Sequence, residues 1–220
     1  MDGTAMAWVI GGYLAGTFPS TLVLARLRHA EELEAASGRR AGETDPHILA
    51  TKYLGAGWSS LASATDVLKA MFWALGARHW GHLGPGELAV VGLAVVAGHS
   101  FPFYARQMAG RGMAAAAGVL LALLPVEMVV AGLLIVAGAA LRATGLASTI
   151  GMASVAPVAA IQGQPSGLVA MGAGIFALIV LRRLEGVSDV VSTGVPRGRA
   201  ALYRAVFDSS GPPASRRARR

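Results

Sequence analysis

Apolar runs, each close to the length a helix needs to cross a bilayer, recur along this chain. No other feature limits its possible folds as much. A spanning helix takes about 20 mostly apolar residues, with about 17–25 tolerated. Such runs cover residues 5–25, 56–75, 87–104, 145–161 and 166–181. The stretch 112–141 is longer than one helix needs, and Pro125, followed by Glu127, sits inside it. Proline in a helix interior removes a hydrogen bond and clashes with the preceding turn. The stretch therefore divides into a short segment, 113–124, and a full span, 126–141. The expected fold is all-α and membrane-embedded, with about seven transmembrane helices.

Composition agrees. Hydrophobic residues make up 54% of the 220 and charged residues 14%, against roughly 25% charged in soluble domains. There is no cysteine, which excludes disulfides and thiolate metal sites. His79 and His82 lie three apart, but no cluster of ligating residues completes a metal site around them. The net charge of +7 does not point to nucleic acid, because the basic residues fall between and after the apolar runs. That placement suits membrane orientation and acidic lipid headgroups. No Lys or Arg precedes Arg26 and Asp2 is acidic, so the first run reads as a retained span, unlike a basic-headed signal.

Orientation follows from counting. With seven spans and the N-terminus outside, 17 of the 19 Lys and Arg residues fall on the cytoplasmic side, Arg78 lies outside and Lys69 within a span. The inverted arrangement violates the positive-inside rule. Residues 1–185 are expected to form one transmembrane domain. Residues 186–220 are expected to form a basic cytoplasmic tail, partly disordered, with disorder in the last ten. Gly11, Gly12, Gly16, Gly172 and Gly174 within the spans suit close helix contact, where lipid leaves no net hydrophobic drive to associate.

Three stretches carry chemistry. In Gly16-Thr17-Phe-Pro19-Ser20 through Arg26, Pro19 either only kinks a helix or opens a break that presents hydroxyls and freed backbone groups to a ligand. In Asp66-Val-Leu-Lys69, the i, i+3 spacing puts both charges on one face. They form either a self-neutralising pair that holds the bundle together or a functional pair, the default for ionisable residues in a membrane. In Gly98-His99-Ser-Phe101-Pro102 through Gly110-Arg111-Gly112, a glycine-flanked cation opens the next helix. That is either a loop arginine setting topology or a phosphate site at a helix N-terminus. The His-x4-Asp acyltransferase signature, the Gly-Lys-Ser/Thr phosphate loop and the Gly-x-Ser-x-Gly elbow do not occur.

On these residues the sequence resembles the bacterial acyl-phosphate:glycerol-3-phosphate acyltransferase family. The family's Gly-Ser-Ile-Pro opening is similar to Gly16-Thr17-Phe18-Pro19. Its Asp-x-x-Lys-Gly resembles Asp66 to Ala70, and its Gly-His-x-Phe-Pro followed by Gly-Gly-Lys-Gly resembles Gly98 to Pro102 and Ala109 to Gly112. Four departures stand out. Thr17 replaces the serine, and Arg111 replaces the lysine. Residues 41–49 lack both asparagines of the family's Gly-Ser-Gly-Asn-x-Gly-Ala-Thr-Asn. The last span lacks a His and an Asn ahead of Arg182-Arg-Leu-Glu-Gly186. The loop holding Glu31, Glu32, Glu34 and Glu43 is also acidic, and Glu43, Asp45 and His47 stand where the asparagine chemistry is lost.

The resemblance implies a multi-pass protein of the bacterial inner (plasma) membrane that needs no cofactor or metal. Its partners would be acyl phosphate, glycerol 3-phosphate and membrane lipids. The reaction would be acyl transfer to the 1-hydroxyl, giving lysophosphatidic acid for phospholipid biosynthesis. By the same resemblance, Thr17, Lys69 and His99 are catalytic, and Arg26, Lys52, Gly110, Arg111 and Gly112 bind phosphate. Pro19, Ser20, Asp66, Phe101 and Pro102 support them. Two alternatives stay open: a non-catalytic relative that binds phosphorylated lipid precursors or regulates an active paralogue, and a small transporter or structural membrane protein.

Overall fold

A computed structural model describes residues 1–28, 46–104, 109–192 and 194–208. Glu31, Glu32, Glu34, Glu43, Asp45 and Arg106 and the last ten residues lie outside the described residues, so the expectations placed on them do too. Among the described residues there is no strand. The helices are α1 (Gly3–Thr17), α2 (Ser20–Leu27), α3 (Pro46–Leu54), α4 (Ala56–His79), α5 (Pro85–Ser100), α6 (Met113–Leu123), α7 (Pro125–Ala140), α8 (Thr144–Ile161), α9 (Ser166–Leu184), α10 (Val187–Val191) and α11 (Arg197–Phe207).

Prolines set two of the expected breaks. Pro19 splits the first apolar run into α1 and α2, which meet at a bend of 41°. Pro125 opens α7 directly after α6, where its missing N–H is no loss. The third run stops at Ser100, short of residue 104, because Pro102 cannot donate to a continuing helix. α8 and α9 are each long and apolar enough to cross a membrane, and α1 with α2 makes a third if the bent pair is one span.

The helices pack on one another across the bundle. α1 lies on α5 and α4, α4 on α6, α5 on α9, and α8 between α7 and α9. The α1–α5 crossing is close. A Cβ on Gly16 would run into the Val95 carbonyl oxygen and one on Gly98 into that of Tyr13. Only glycine lets the two backbones meet there.

The exterior is apolar. On α7, Val126, Val129, Leu133 and Val136 recur at helical spacing and are all more than half exposed, while Glu127, Ala131 and Gly138 face inward. This inverts the pattern of a helix on a water-soluble bundle. Ile161 and Leu141 likewise sit on the surface, and the buried core is largely Ala, Val and Leu. An outward apolar stripe around a small-residue interior suits lipid surroundings.

α11 lies within the segment expected as a tail after residue 185. It is a helix that packs on α8, α9 and α10, with Ala200 and Arg204 buried.

Candidate active site

The break at Pro19 creates a demand for donors. With α1 ended and α2 not yet begun, the carbonyls of residues 16–18 lose their helical partners, and an apolar surrounding offers no water to replace them. Lys69 Nζ donates to Gly16 O at 3.1 Å and Phe18 O at 2.7 Å, and Tyr104 Oη donates to Thr17 O at 2.6 Å. Lys69 on α4 thus bridges the break.

Its charge is balanced locally. Lys69 Nζ lies 2.7 Å from Asp66 Oδ1, with side-chain exposures of 12% and 3%. Ser20 Oγ donates to the same carboxylate oxygen at 2.8 Å. His99 Nδ1 approaches it to 3.6 Å, a charge contact longer than a hydrogen bond. The Asp66–Lys69 pair forms as the i, i+3 spacing predicted. It both holds the bundle together at the break and meets the histidine.

His99, at the last turn of α5, is buried. Its Nε2 edge faces the backbone of Gly110, where any side chain would collide with the ring. Gly112 caps α6 with φ +85°, a left-handed conformation that favours glycine. A Cβ there would stand 2.6 Å from Ser100 Oγ. Both glycines flanking Arg111 are therefore required by geometry. They bring the N-terminus of α6 against the imidazole, and that end carries outward N–H groups and a positive dipole.

The expected residues are placed unevenly. Thr17, Pro19, Ser20, Asp66, Lys69, His99, Gly110, Arg111 and Gly112 gather at one end of the bundle, with Phe101 and Pro102 in the turn leading from α5. Tyr13 Oη donates to Phe101 O at 2.9 Å and fixes that turn. The Thr17 hydroxyl donates to Leu14 O at 2.7 Å, within its own helix. Arg26 lies exposed in the last turn of α2. Lys52 is exposed on α3, its ammonium 5.1 Å from the ring centre of Tyr53. Arg111 forms an ion pair with Asp208.

Two further cations belong to this end. Arg182 donates to Ala109 O at 3.1 Å and Gly110 O at 3.4 Å, pairs with Glu185, and lies 6.0 Å from the Phe101 ring centre. Arg183, 3% exposed, donates to Thr149 Oγ1, Ser148 Oγ and Ala205 O at 2.7, 2.9 and 3.2 Å. Read from the sequence, both count only toward orientation. Their adjacency at the end of an apolar span, next to the family's Arg-Leu-x-x-Gly, is the signal that marks them.

The residues at this end thus comprise a buried carboxylate–lysine–histidine cluster, a glycine-flanked helix N-terminus and several guanidinium groups. They suit a phosphorylated ligand. The comparisons with known proteins agree. Residues 6–192 match the family model for glycerol-3-phosphate acyltransferase. A glycerol-3-phosphate acyltransferase of Pseudomonas entomophila is 32% identical over 188 residues, covering 84% of this chain and 96% of the relative. That of Methylorubrum extorquens is 32% identical over 179 residues, covering 80% of each. Two solved structures of PlsY, an integral membrane glycerol 3-phosphate acyltransferase, share the fold. The glycerol 3-phosphate form has TM-score 0.73 at 28% identity, covering 87% of this chain and 94% of that one. The lysophosphatidic acid form has TM-score 0.70 at 27% identity, covering 91% and 100%. This is an all-α integral membrane protein, and it belongs to the glycerol-3-phosphate acyltransferase family.

Proposed function

We propose that this chain transfers an acyl group from acyl phosphate to the 1-hydroxyl of glycerol 3-phosphate, in a bacterial plasma membrane. The bond from the hydroxyl oxygen to the acyl carbon forms, and the bond from that carbon to the phosphate oxygen breaks. The hydroxyl proton leaves through His99, and the products are lysophosphatidic acid and inorganic phosphate. Family membership supports the reaction class. The observation that carries the site is the clamping of His99 between Asp66 Oδ1 and the Gly110–Gly112 backbone.

Each residue then has a role. Arg111 and the α6 N-terminus hold the glycerol 3-phosphate phosphate, with Gly110 and Gly112 allowing close approach. Asp66 faces the other edge of the His99 ring and orients it. Lys69 and Ser20 fix Asp66 and the Pro19 break, and Thr17 lies at that break. Arg26 and Lys52, on exposed faces at the same side, attract the anionic substrates before binding. Phosphate is a good leaving group, so positioning and charge neutralisation supply most of the acceleration.

Seven crossings, with the N-terminus outside and α11 cytoplasmic, are supported by the apolar runs along the sequence and by the basic residues at the site end. That orientation opens the site to soluble glycerol 3-phosphate.

The test is phosphate release by purified protein in lipid, given acyl phosphate and glycerol 3-phosphate. Release above a lipid-only control is expected, and His99→Ala should lower kcat by about 10²–10⁴-fold. No release, with glycerol 3-phosphate still bound, would identify a binding relative instead.

A further inference from the structure

The family match ends at residue 192, and α11 begins at Arg197, yet α11 is fastened to the same end of the bundle as the site. Thr149 Oγ1 donates to Val206 O at 2.7 Å, and Arg183 reaches Ala205 O at 3.2 Å. Phe207 O abuts Gly145, and the buried Arg204 guanidinium fills the space that any side chain at Gly186 would need. These ties come from α8, α9 and the α9–α10 turn, so the end of α11 is fixed from three sides. There Asp208 adopts a left-handed conformation, φ +49°, which Asp tolerates better than most residues. It ends the helix and turns its carboxylate onto Arg111, with Arg183 Nε 3.9 Å from the same oxygen.

A lysine at position 111, as the family carries, would be a point charge that needs no particular orientation. A guanidinium presents five donors in one rigid plane, and that plane must be aimed. We propose that Asp208 is a positioning residue for Arg111, so that α11 completes the substrate-phosphate site of this chain although it lies beyond the family-matched residues. The inference rests on the reading of Arg111 as a phosphate ligand. Asp208 holds Nη1 of Arg111 and couples it to Arg183. Arg183 in turn is anchored on Ser148 and Thr149.

The experiment uses the full chain in lipid and measures kcat and KM for glycerol 3-phosphate in wild type, Asp208→Asn, Asp208→Glu, Arg111→Ala and Asp208→Asn with Arg111→Ala. Asp208→Asn should raise KM about three- to tenfold with kcat little changed, and Asp208→Glu should restore most of the loss. The Asn substitution should add nothing once Arg111 is gone. KM does not depend on the fraction of protein that folds, so a partly misfolded preparation still gives an answer. An unchanged KM, or a loss confined to kcat, overturns the proposal. A lowered KM does so too, because it would make the Asp208 carboxylate a competitor of the phosphate. Wild-type KM in Arg111→Ala overturns the reading of Arg111 itself, whereas a raised KM there with a silent Asp208→Asn overturns only the role of Asp208.

Discussion

Two buried carboxylates illustrate opposite economies. Asp66 Oδ1 is met by Lys69, Ser20 and His99, from three helices. Removing one member of such a buried pair strands the other, at about 3–5 kcal/mol. Glu127 is fully buried in the first turn of α7, and neither oxygen has a hydrogen-bond partner among the described residues. The α7 dipole returns about 0.3–1 kcal/mol, less than the about 1–3 kcal/mol that an unsatisfied buried polar group costs. Glu127→Met, of similar length, should therefore stabilise the protein by about 1–2 kcal/mol, read as a higher unfolding midpoint in detergent. A lower midpoint would show that Glu127 has a partner the geometry does not reveal. The contrast marks what is legible at this scale. The Asp66–Lys69 pair follows from i, i+3 spacing, and His99 from its motif. The convergence of Arg182 and Arg183 on residues 22 to 73 positions away in sequence does not. Nothing local separates a buried arginine from one that merely marks the cytoplasmic side.

At the scale of elements, the breaks at Pro19 and Pro125 could be read directly, because proline acts through its own ring and missing N–H. The position of α11 could not. A short basic segment after the last span looks like a solvated tail, and its docking depends on Thr149, Arg183 and Gly186. The α1–α5 crossing stands between these cases. Its glycines are visible as small residues, but their partners emerge only once the helices are paired. The crossing brings the Pro19 break against α5, which carries His99. Gly98→Val would drive a branched side chain into the Tyr13 carbonyl. It should destabilise the fold by about 1–3 kcal/mol, the usual range for overpacking. Chemical or thermal unfolding in detergent would report it, and a variant as stable as wild type would mean that the helices separate freely there.

The molecule is a bundle with most of its described Lys and Arg at one end and apolar side chains facing outward, an arrangement that hydropathy and the distribution of Lys and Arg already indicate. What they do not indicate is how deep the charged end sits. α6 has 11 residues, which span about 16 Å at 1.5 Å per residue, whereas a bilayer's hydrocarbon core is about 30 Å thick. The strut that carries Arg111 and Gly112 at its start is thus about half a membrane tall. On the proposed reading, a strut of that height would seat the phosphate below the headgroup plane, where a water-borne reactant would descend and a greasy one would arrive sideways. Turnover should then respond to hydrophobic mismatch. Reconstituted into phosphatidylcholines of graded chain length, the protein should be fastest in thin bilayers and slow progressively as they thicken, and a flat profile would mean that the seat lies level with the surface. The length of one short helix, on this view, sets the depth at which water and lipid exchange their cargo.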